Sequence, residues 1–586
     1  MKKVIVLSIS VLAMVAAAEP LTLTWAGGAS GYISDEESWS GGVEGHLAPQ
    51  NGDTLVFSSA GSFTNDISGL ALAALSFTSS GEVKLGGDET ITVKCGGSVR
   101  STGAGAVAIS SPLRMGENPA VEPQAEGEVA DLPEPVIVAA AGSGRKISIS
   151  GIISGEAPIA VGAASGTVEF RGANTFTGKL SVTNGYFTAA GTKSLGAGEE
   201  EIFFKTGNGS GRAKVSLEGV TVNKPVVING NAVTGEFGVK TTAQSVFNGS
   251  VTIETPTSFQ LDGWTTAIFN GVFDCKSTIQ GEVNTGSTLK IAGIGSKIAA
   301  FNLGFTSAAS TDPKWYAKYV VSAPVRISGT DFKHYSMHIR KARGQFVMEV
   351  ANAFTNTCTL AKDRDVPLRY TSGATDTTFN MNGYEQTFMS IQDEAGHTSN
   401  VITSDKACVL RLKQNWVANT VIDSAGTLRE PGKRKDCFSG TISGKVSVSV
   451  EGSDTCYFAG PNTSTGSFSL TNAAYCGFTG TGVWKGKDFF VSAGSTLVVS
   501  NTAAIPAASN ITLSDAPDQA AKSCILLGEG EYAAQSMSVD GELLYRGTWG
   551  SSQSAARFKD DIHFKGPGVL KLETGAPFPG FRLIIK

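Results

Sequence analysis

One recurring block constrains this chain more than anything else in it. Residues 172–185 read GANTFTGKLSVTNG, and residues 460–473 read GPNTSTGSFSLTNA. Both follow G-x-N-T-x-T-G, then an alternating strand, then T-N. Both are preceded by a strand ending in Phe, at Phe170 and Phe458. Further upstream each has Ile-Ser-Gly, at Ile153–Gly155 and Ile442–Gly444, with one residue of slippage. A block that returns with its flanks marks a structural unit used more than once, as in stacked repeat folds. A weaker pair lies between them: Phe247-Asn248-Gly249 and Phe269-Asn270-Gly271 are spaced as one coil of such a stack would be.

The rest of the chain fits a stack of short strands. Thr54-Leu-Val-Phe57, Lys146-Ile-Ser-Ile149, Thr167-Val-Glu-Phe170 and Lys445-Val-Ser-Val-Ser-Val450 alternate apolar and polar residues, and Gly, Asn and Ser cut them apart. Alternation over a few residues is the strand signal, and long helix patterns are nearly absent. Gly172, Asn174, Gly178, Gly460, Asn462 and Gly466 are read as the sharp turns of a coil, since Gly and Asn tolerate the left-handed backbone a tight corner needs. One coil cannot bury its own inner face; stacked coils can, about 4.8 Å apart.

Composition narrows the class. Charged residues are 17% of 586, against roughly 25% in an average domain, and hydrophobic residues are 41%. That supports a folded chain over a disordered one. The 71 glycines lack the every-third-residue period of collagen. A net charge of -5 gives no reason to expect nucleic acid or an anionic membrane as partner.

The start of the chain predicts export. Lys2 and Lys3 precede the apolar run Val4 to Val15, and Ala16-Ala17-Ala18 is a small-residue cleavage site. The run is too short to span a bilayer, so it reads as a signal peptide over 1–18, with no membrane-spanning segment after its removal. Eight cysteines in an exported chain are able to pair. None forms CxxC, which leaves a metal ribbon without support. Cys437, Cys456 and Cys476 are spaced by about one coil each, so they are expected to stack in one column, as a disulfide or as buried apolar thiols.

These blocks resemble the autotransporter-associated β-strand repeat. The resemblance extends to the start, at Trp25-Ala-Gly-Gly, Glu37-Ser-Trp39-Ser-Gly-Gly and Pro49-Gln-Asn-Gly-Asp-Thr-Leu-Val-Phe57. It extends to Ala106-Val-Ala-Ile-Ser-Ser-Pro-Leu-Arg-Met115 and to the ending around Gly547-Thr-Trp549 and His563-Phe-Lys-Gly-Pro-Gly-Val-Leu570. It implies an all-β, right-handed parallel β-helix (β-solenoid) displayed outside the cell. The chain departs from the family where a C-terminal membrane barrel would stand: no run of alternating, barrel-length strands closes it. Export to the surface is therefore expected to rely on other machinery, and Gly580 to Lys586 is either a signal for it or a final strand.

The expected plan is a signal peptide over 1–18, a Trp-rich cap over 19–57, and a solenoid over 58–299 with an acidic, Pro-rich loop at 117–135. A less regular middle, 300–436, reads as irregular coils or a lateral insertion, and a second solenoid stretch follows over 437–586. Trp25, Tyr32 and Trp39 either cap the stack or stack on sugar rings.

Catalytic candidates are weak. Asp363-Arg364-Asp365, Asp393-Glu394 and Lys559-Asp560-Asp561 are carboxylate clusters that solvated loops also produce. His334 and His338 would share one face of a strand but lie too far apart to chelate easily. Neither G-x-S-x-G nor a phosphate loop occurs, and Gly207-Asn-Gly-Ser-Gly211 reads as a turn. Pro431-Gly-Lys-Arg-Lys435 reads as a surface loop. The sequence thus predicts a structural or adhesive surface protein without cofactor or metal. Its expected partners are an extracellular polysaccharide, a host or neighbouring cell surface, or further copies of itself. A polysaccharide-degrading β-helix is the alternative.

Overall fold

The computed structural model describes residues 19–116, 135–206, 214–230, 236–239, 244–254, 257–261, 263–306, 316–327, 337–340, 344–356, 368–370, 376–393, 398–413, 421–422, 428–429, 436–452, 455–492, 494–516 and 521–578. The described chain is nearly all β, its strands paired mainly in parallel. A 3-10 turn, Glu36–Ser38, is capped by the Asp35 side chain, which accepts the N–H of Glu37. No helix among the described residues is long and apolar enough to cross a membrane. The chain divides into two compact units, residues 1–185 with 196–198, and residues 186–195 with 199–586.

In the first unit, successive passes of the chain contribute to the same three parallel rows. The first row carries the inward column Leu23, Leu55, Leu75 and Val99, continued by Val138 and Val161. The second carries Phe63, Leu85, Ile109, Ile149 and Phe170. The third pairs Leu72 with Val93 and Met115, and Ile91 with Leu113 and Ile153. These side chains are at most 2% exposed. Alternation is the cause: every second residue turns inward onto the same residue of the neighbouring pass. The acidic loop falls largely outside the described residues, yet the rows on either side of it keep their partners, Val99 with Val138 and Arg114 with Ser154.

The second unit repeats the scheme with less even spacing. Phe247 pairs with Phe269, and their rings stack at 4.7 Å. The same row runs through Ile291 to Val321 and Met348. Outside it, the Asn270 amide donates to Asn248 and the Asn248 amide to Asn223, a ladder of side chains at 2.9 and 2.8 Å. Between 300 and 436 the described strands keep parallel partners: Tyr319 with Phe346, Phe346 with Phe379, Phe379 with Ile402, and Ile402 with Ile442. Longer excursions separate these passes, which is why the period is not legible there.

Antiparallel strands stand near the chain ends. Thr22–Trp25 pairs with Trp39–Ser40, and Gly547–Gly550 pairs with Val569–Leu572. Such pairing occupies backbone groups that an open parallel edge would leave exposed.

Candidate functional site

The recurring block forms the same clasp in both units. The side-chain oxygen of Asn174 accepts the backbone N–H of Ile153 at 2.9 Å. Thr175 and Phe176 donate their N–H groups to the Ile153 carbonyl, and Thr177 donates to that of Gly155. In the second copy Asn462 accepts from Ile442 at 2.9 Å, Thr463 and Ser464 donate to Ile442, and Thr465 donates to Gly444. The Asn is therefore a lock between successive passes, and both Asn residues are at most 1% exposed.

The glycines of the block correct the expected turn chemistry. Gly172, Gly178, Gly460 and Gly466 do not have positive φ. A Cβ at Gly172 or Gly178 would lie 2.2 Å from the carbonyl oxygen of Gly151 or Ala157. At Gly460 and Gly466 it would meet the oxygens of Gly440 and Val446 at 1.9 and 2.4 Å. Close approach of the neighbouring pass, not a left-handed corner, excludes side chains there. The left-handed glycines sit upstream in Ile-Ser-Gly, Gly155 at φ 103° and Gly444 at φ 73°.

The first copy opens onto a groove of about 610 Å³ in the first unit. Its floor is the outward side of the third row: Thr92, Arg114 and Ser154 in register, followed by Thr175 of the block. Asp88 and Glu89 line it from the turn before Thr92, and Glu156 from the turn after Ser154. Thr92 is 8% exposed. Arg114 is exposed and makes no ion pair among the described residues. The sequence reading missed these residues. Their signal was a spacing: Thr92, Arg114, Ser154 and Thr175 fall in one column once the excursion after Met115 is excised.

The aromatic start is a packed cluster. Trp25 packs edge-on against Trp39 at 5.1 Å and against Phe63 at 4.9 Å, while Trp39 meets Phe57 at 5.7 Å. The Trp25 indole N–H donates to the Gly28 carbonyl and that of Trp39 to Ile33. Burial keeps both indole faces from any sugar, whereas Tyr32 is 61% exposed. His46 and Asp53 are buried beside this cluster, 2.7 Å apart, with Asp53 also accepting from Leu21 and Gln50.

The expected cysteine column is corrected at one end. Cys456 and Cys476 are register partners, both buried, and Leu497 continues their column. Cys437 pairs with Tyr457, and Asp436 takes the position opposite Cys456. By register, Cys437 therefore stands one residue away from the Cys456–Cys476 row. Cys476 is a free thiol.

The titratable clusters are structural ties. Burial pulls the Glu169 carboxyl up, but hydrogen bonds from Arg171 and Lys146, at 2.9 and 2.8 Å, outweigh it and hold it below its usual range. Lys290 and Ser322, bonded to Glu349 at 2.7 and 2.5 Å, hold that carboxyl down. Of the Lys559-Asp560-Asp561 group, Asp560 accepts the His563 ring Nδ1 at 2.6 Å, and Asp561 accepts the Ser552 N–H. Lys559 bonds the Ser554 carbonyl. The other His563 nitrogen meets Asp515 at 3.2 Å. With both ring nitrogens engaged by carboxylates, that imidazole has no free position from which to take a substrate proton.

Residues 1–18, His334, Asp363-Arg364-Asp365, Glu394, Gly207 to Gly211, Pro431 to Lys435 and Gly580 to Lys586 lie outside the described residues, as does the His338 side chain. No group of three or more His, Cys, Asp or Glu among the described residues is placed to hold a metal ion. No family model, curated protein or solved structure matches the chain.

Proposed function

We propose that this chain is an exported right-handed parallel β-solenoid of the autotransporter-associated repeat type, acting outside the cell as a structural or adhesive surface without catalysis. The recurring clasp carries this reading. The same four hydrogen bonds join Asn174 to Thr177 with Ile153 and Gly155, and Asn462 to Thr465 with Ile442 and Gly444. A clasp that ties each pass to the one before it is what a stacked solenoid requires. The right hand follows from the strong preference of parallel crossovers for it.

Such a protein holds variable turns on a stiff scaffold and needs no cofactor. The leader sequence supports export. The test is to express the whole chain in a diderm bacterium that has surface-export machinery. The mature N-terminus should be Glu19, and protease added to intact cells should cleave the chain. A chain that keeps Met1 and stays in the cytosol sinks the proposal. Release of new reducing ends or unsaturated products from a polysaccharide panel would sink its non-catalytic part. A second reading, polysaccharide binding, is favoured by the groove floored with hydroxyls.

A further inference from the structure

We propose that Trp264, at a turn of the second unit, is the stacking platform for an extended β-1,4-linked glucan chain, with the outward polar line beside it taking the sugar hydroxyls. The inference rests on the polysaccharide-binding reading and names a site and a guest for it; the display reading stands or falls separately.

Three observations carry it. The first is backbone conformation. Trp264 has φ 64°, in the left-handed region. The other non-glycine residues there, among the described residues, are Asn, Asp and one Ala. A bulky residue is disfavoured at such a φ, and strain of this kind collects at functional sites. The second is the setting of the ring. Trp264 is 45% exposed, whereas Trp25, Trp39 and Trp484 are buried. Its backbone N–H donates to the Thr285 carbonyl of the next pass. A Cβ at Gly286 would lie 2.6 Å from the Trp264 ring, so the indole rests against bare backbone of that pass. Folding alone gains little from a strained turn that leaves its largest side chain nearly half in water.

The third is register. Thr266, Thr288 and Lys318 are partners on successive passes. Counting back two residues puts Trp264, Gly286 and Tyr316 at one position of those passes. Gln244 and Gln345 extend the line of partners on either side. Their strands alternate, and Gln244, Thr266, Thr288, Lys318 and Gln345 all fall on the outward face. Aromatic positions thus run beside a row of hydroxyl, amide and ammonium groups that contains no carboxylate.

A pyranose presents C–H groups on its faces and hydroxyls around its rim. In a β-1,4-linked glucan the ring hydroxyls are equatorial and the chain is extended. Its flat faces suit the indole while its rim reaches the polar row, the usual division between apolar and polar groups in a sugar site. A curved α-1,4-linked chain leaves a straight row after a short contact.

The experiment titrates the full mature chain, labelled with fluorotryptophan, with cellohexaose by calorimetry and fluorine NMR, and with maltohexaose in parallel. Cellohexaose should bind at sub-millimolar to millimolar concentration and shift the resonance that Trp264→Asn deletes. That variant should weaken binding about tenfold, the scale of one lost stacking contact. It should melt no lower than the parent, because Asn accepts the left-handed backbone. Trp264→Phe should keep part of the affinity. A purely structural Trp264 would give the reverse, a lower melting temperature with binding unchanged, and that result overturns the proposal. Equal binding of maltohexaose overturns the linkage assignment. Cellohexaose binding that Trp264→Asn leaves intact overturns this platform while the polysaccharide-binding reading stands. Absence of binding by any glycan of a panel at millimolar concentration overturns both.

Discussion

The side-chain oxygen of Asn174 accepts the backbone N–H of Ile153 from the preceding pass of the chain, at 2.9 Å, with Asn174 1% exposed. Asn462 holds Ile442 in the same way. Removing the amide leaves a buried N–H without its acceptor. Asn174→Ala and Asn462→Ala should each destabilise by about 1–3 kcal/mol. Urea denaturation followed by circular dichroism checks it; a loss below about 0.5 kcal/mol at both positions would mean water replaces the amide.

Glycines of two kinds separate space from backbone conformation. A Cβ at Gly460 would lie 1.9 Å from the Gly440 oxygen, a contact only a backbone shift relieves. Gly480 has φ 58° but open space around the new atom. Gly480→Ala should lower stability by about 1 kcal/mol. Gly460→Ala should lower it by more than twice as much, on the scale of severe overpacking. Thermal melts of the two variants side by side decide it; equal losses would contradict the steric account.

His563 bridges Asp515 and Asp560, and its pH dependence has a definite sign. Burial depresses the imidazole pKa, but the hydrogen bonds it donates to the two carboxylates outweigh burial and raise it above 6.5. A raised folded pKa gives stability that is full below the unfolded value and is lost as pH rises through the folded one. Asp515 works oppositely. Burial raises its pKa, but bonds from Ser523 and His563 win, so its contribution is lost as pH falls below the carboxylate range. Below the range where Lys224 titrates, the melting temperature should therefore fall on going from pH 6 to pH 8, and His563→Gln should flatten that slope. An unchanged slope in the variant rules the bridge out as its source.

Lys224 is 3% exposed, and burial lowers its ammonium pKa to about 8 against the pull of Glu200. The unfolded chain binds that proton up to about 10.5, so stability should rise with pH between the two values. The shift corresponds to roughly 3 kcal/mol against folding at neutral pH. Lys224→Met keeps the aliphatic stem and should stabilise the protein at pH 7. Its advantage should shrink by pH 10; a variant less stable at pH 7 refutes the burial argument.

Cys456 and Cys476 are neighbours in a buried column. Cys476→Val should change stability by less than about 1.5 kcal/mol, as volume-conserving apolar exchanges do. Cys476→Ser should lose about 1–3 kcal/mol, because its hydroxyl is dry. In the folded protein the Cys476 thiol should resist alkylation and react once urea unfolds the chain.

The strands and the recurring unit are legible in the residues alone. Alternation is a local property, so Leu55, Ile147 and Val448 declare their inward face without reference to any neighbour. The recurring block also marks Asn174 and Asn462 as special, though for the wrong reason. The need for glycines in the block emerges only from packing, because the atoms that exclude a Cβ at Gly172 belong to Gly151 on the pass before. The tertiary structure alone set the register that moves Cys437 beside Tyr457. It alone assembled the groove, whose floor joins Thr92, Arg114, Ser154 and Thr175 from four passes of uneven length. Period in sequence survives only where the passes are equal, whereas hydrogen-bond register in space survives any excursion between strands.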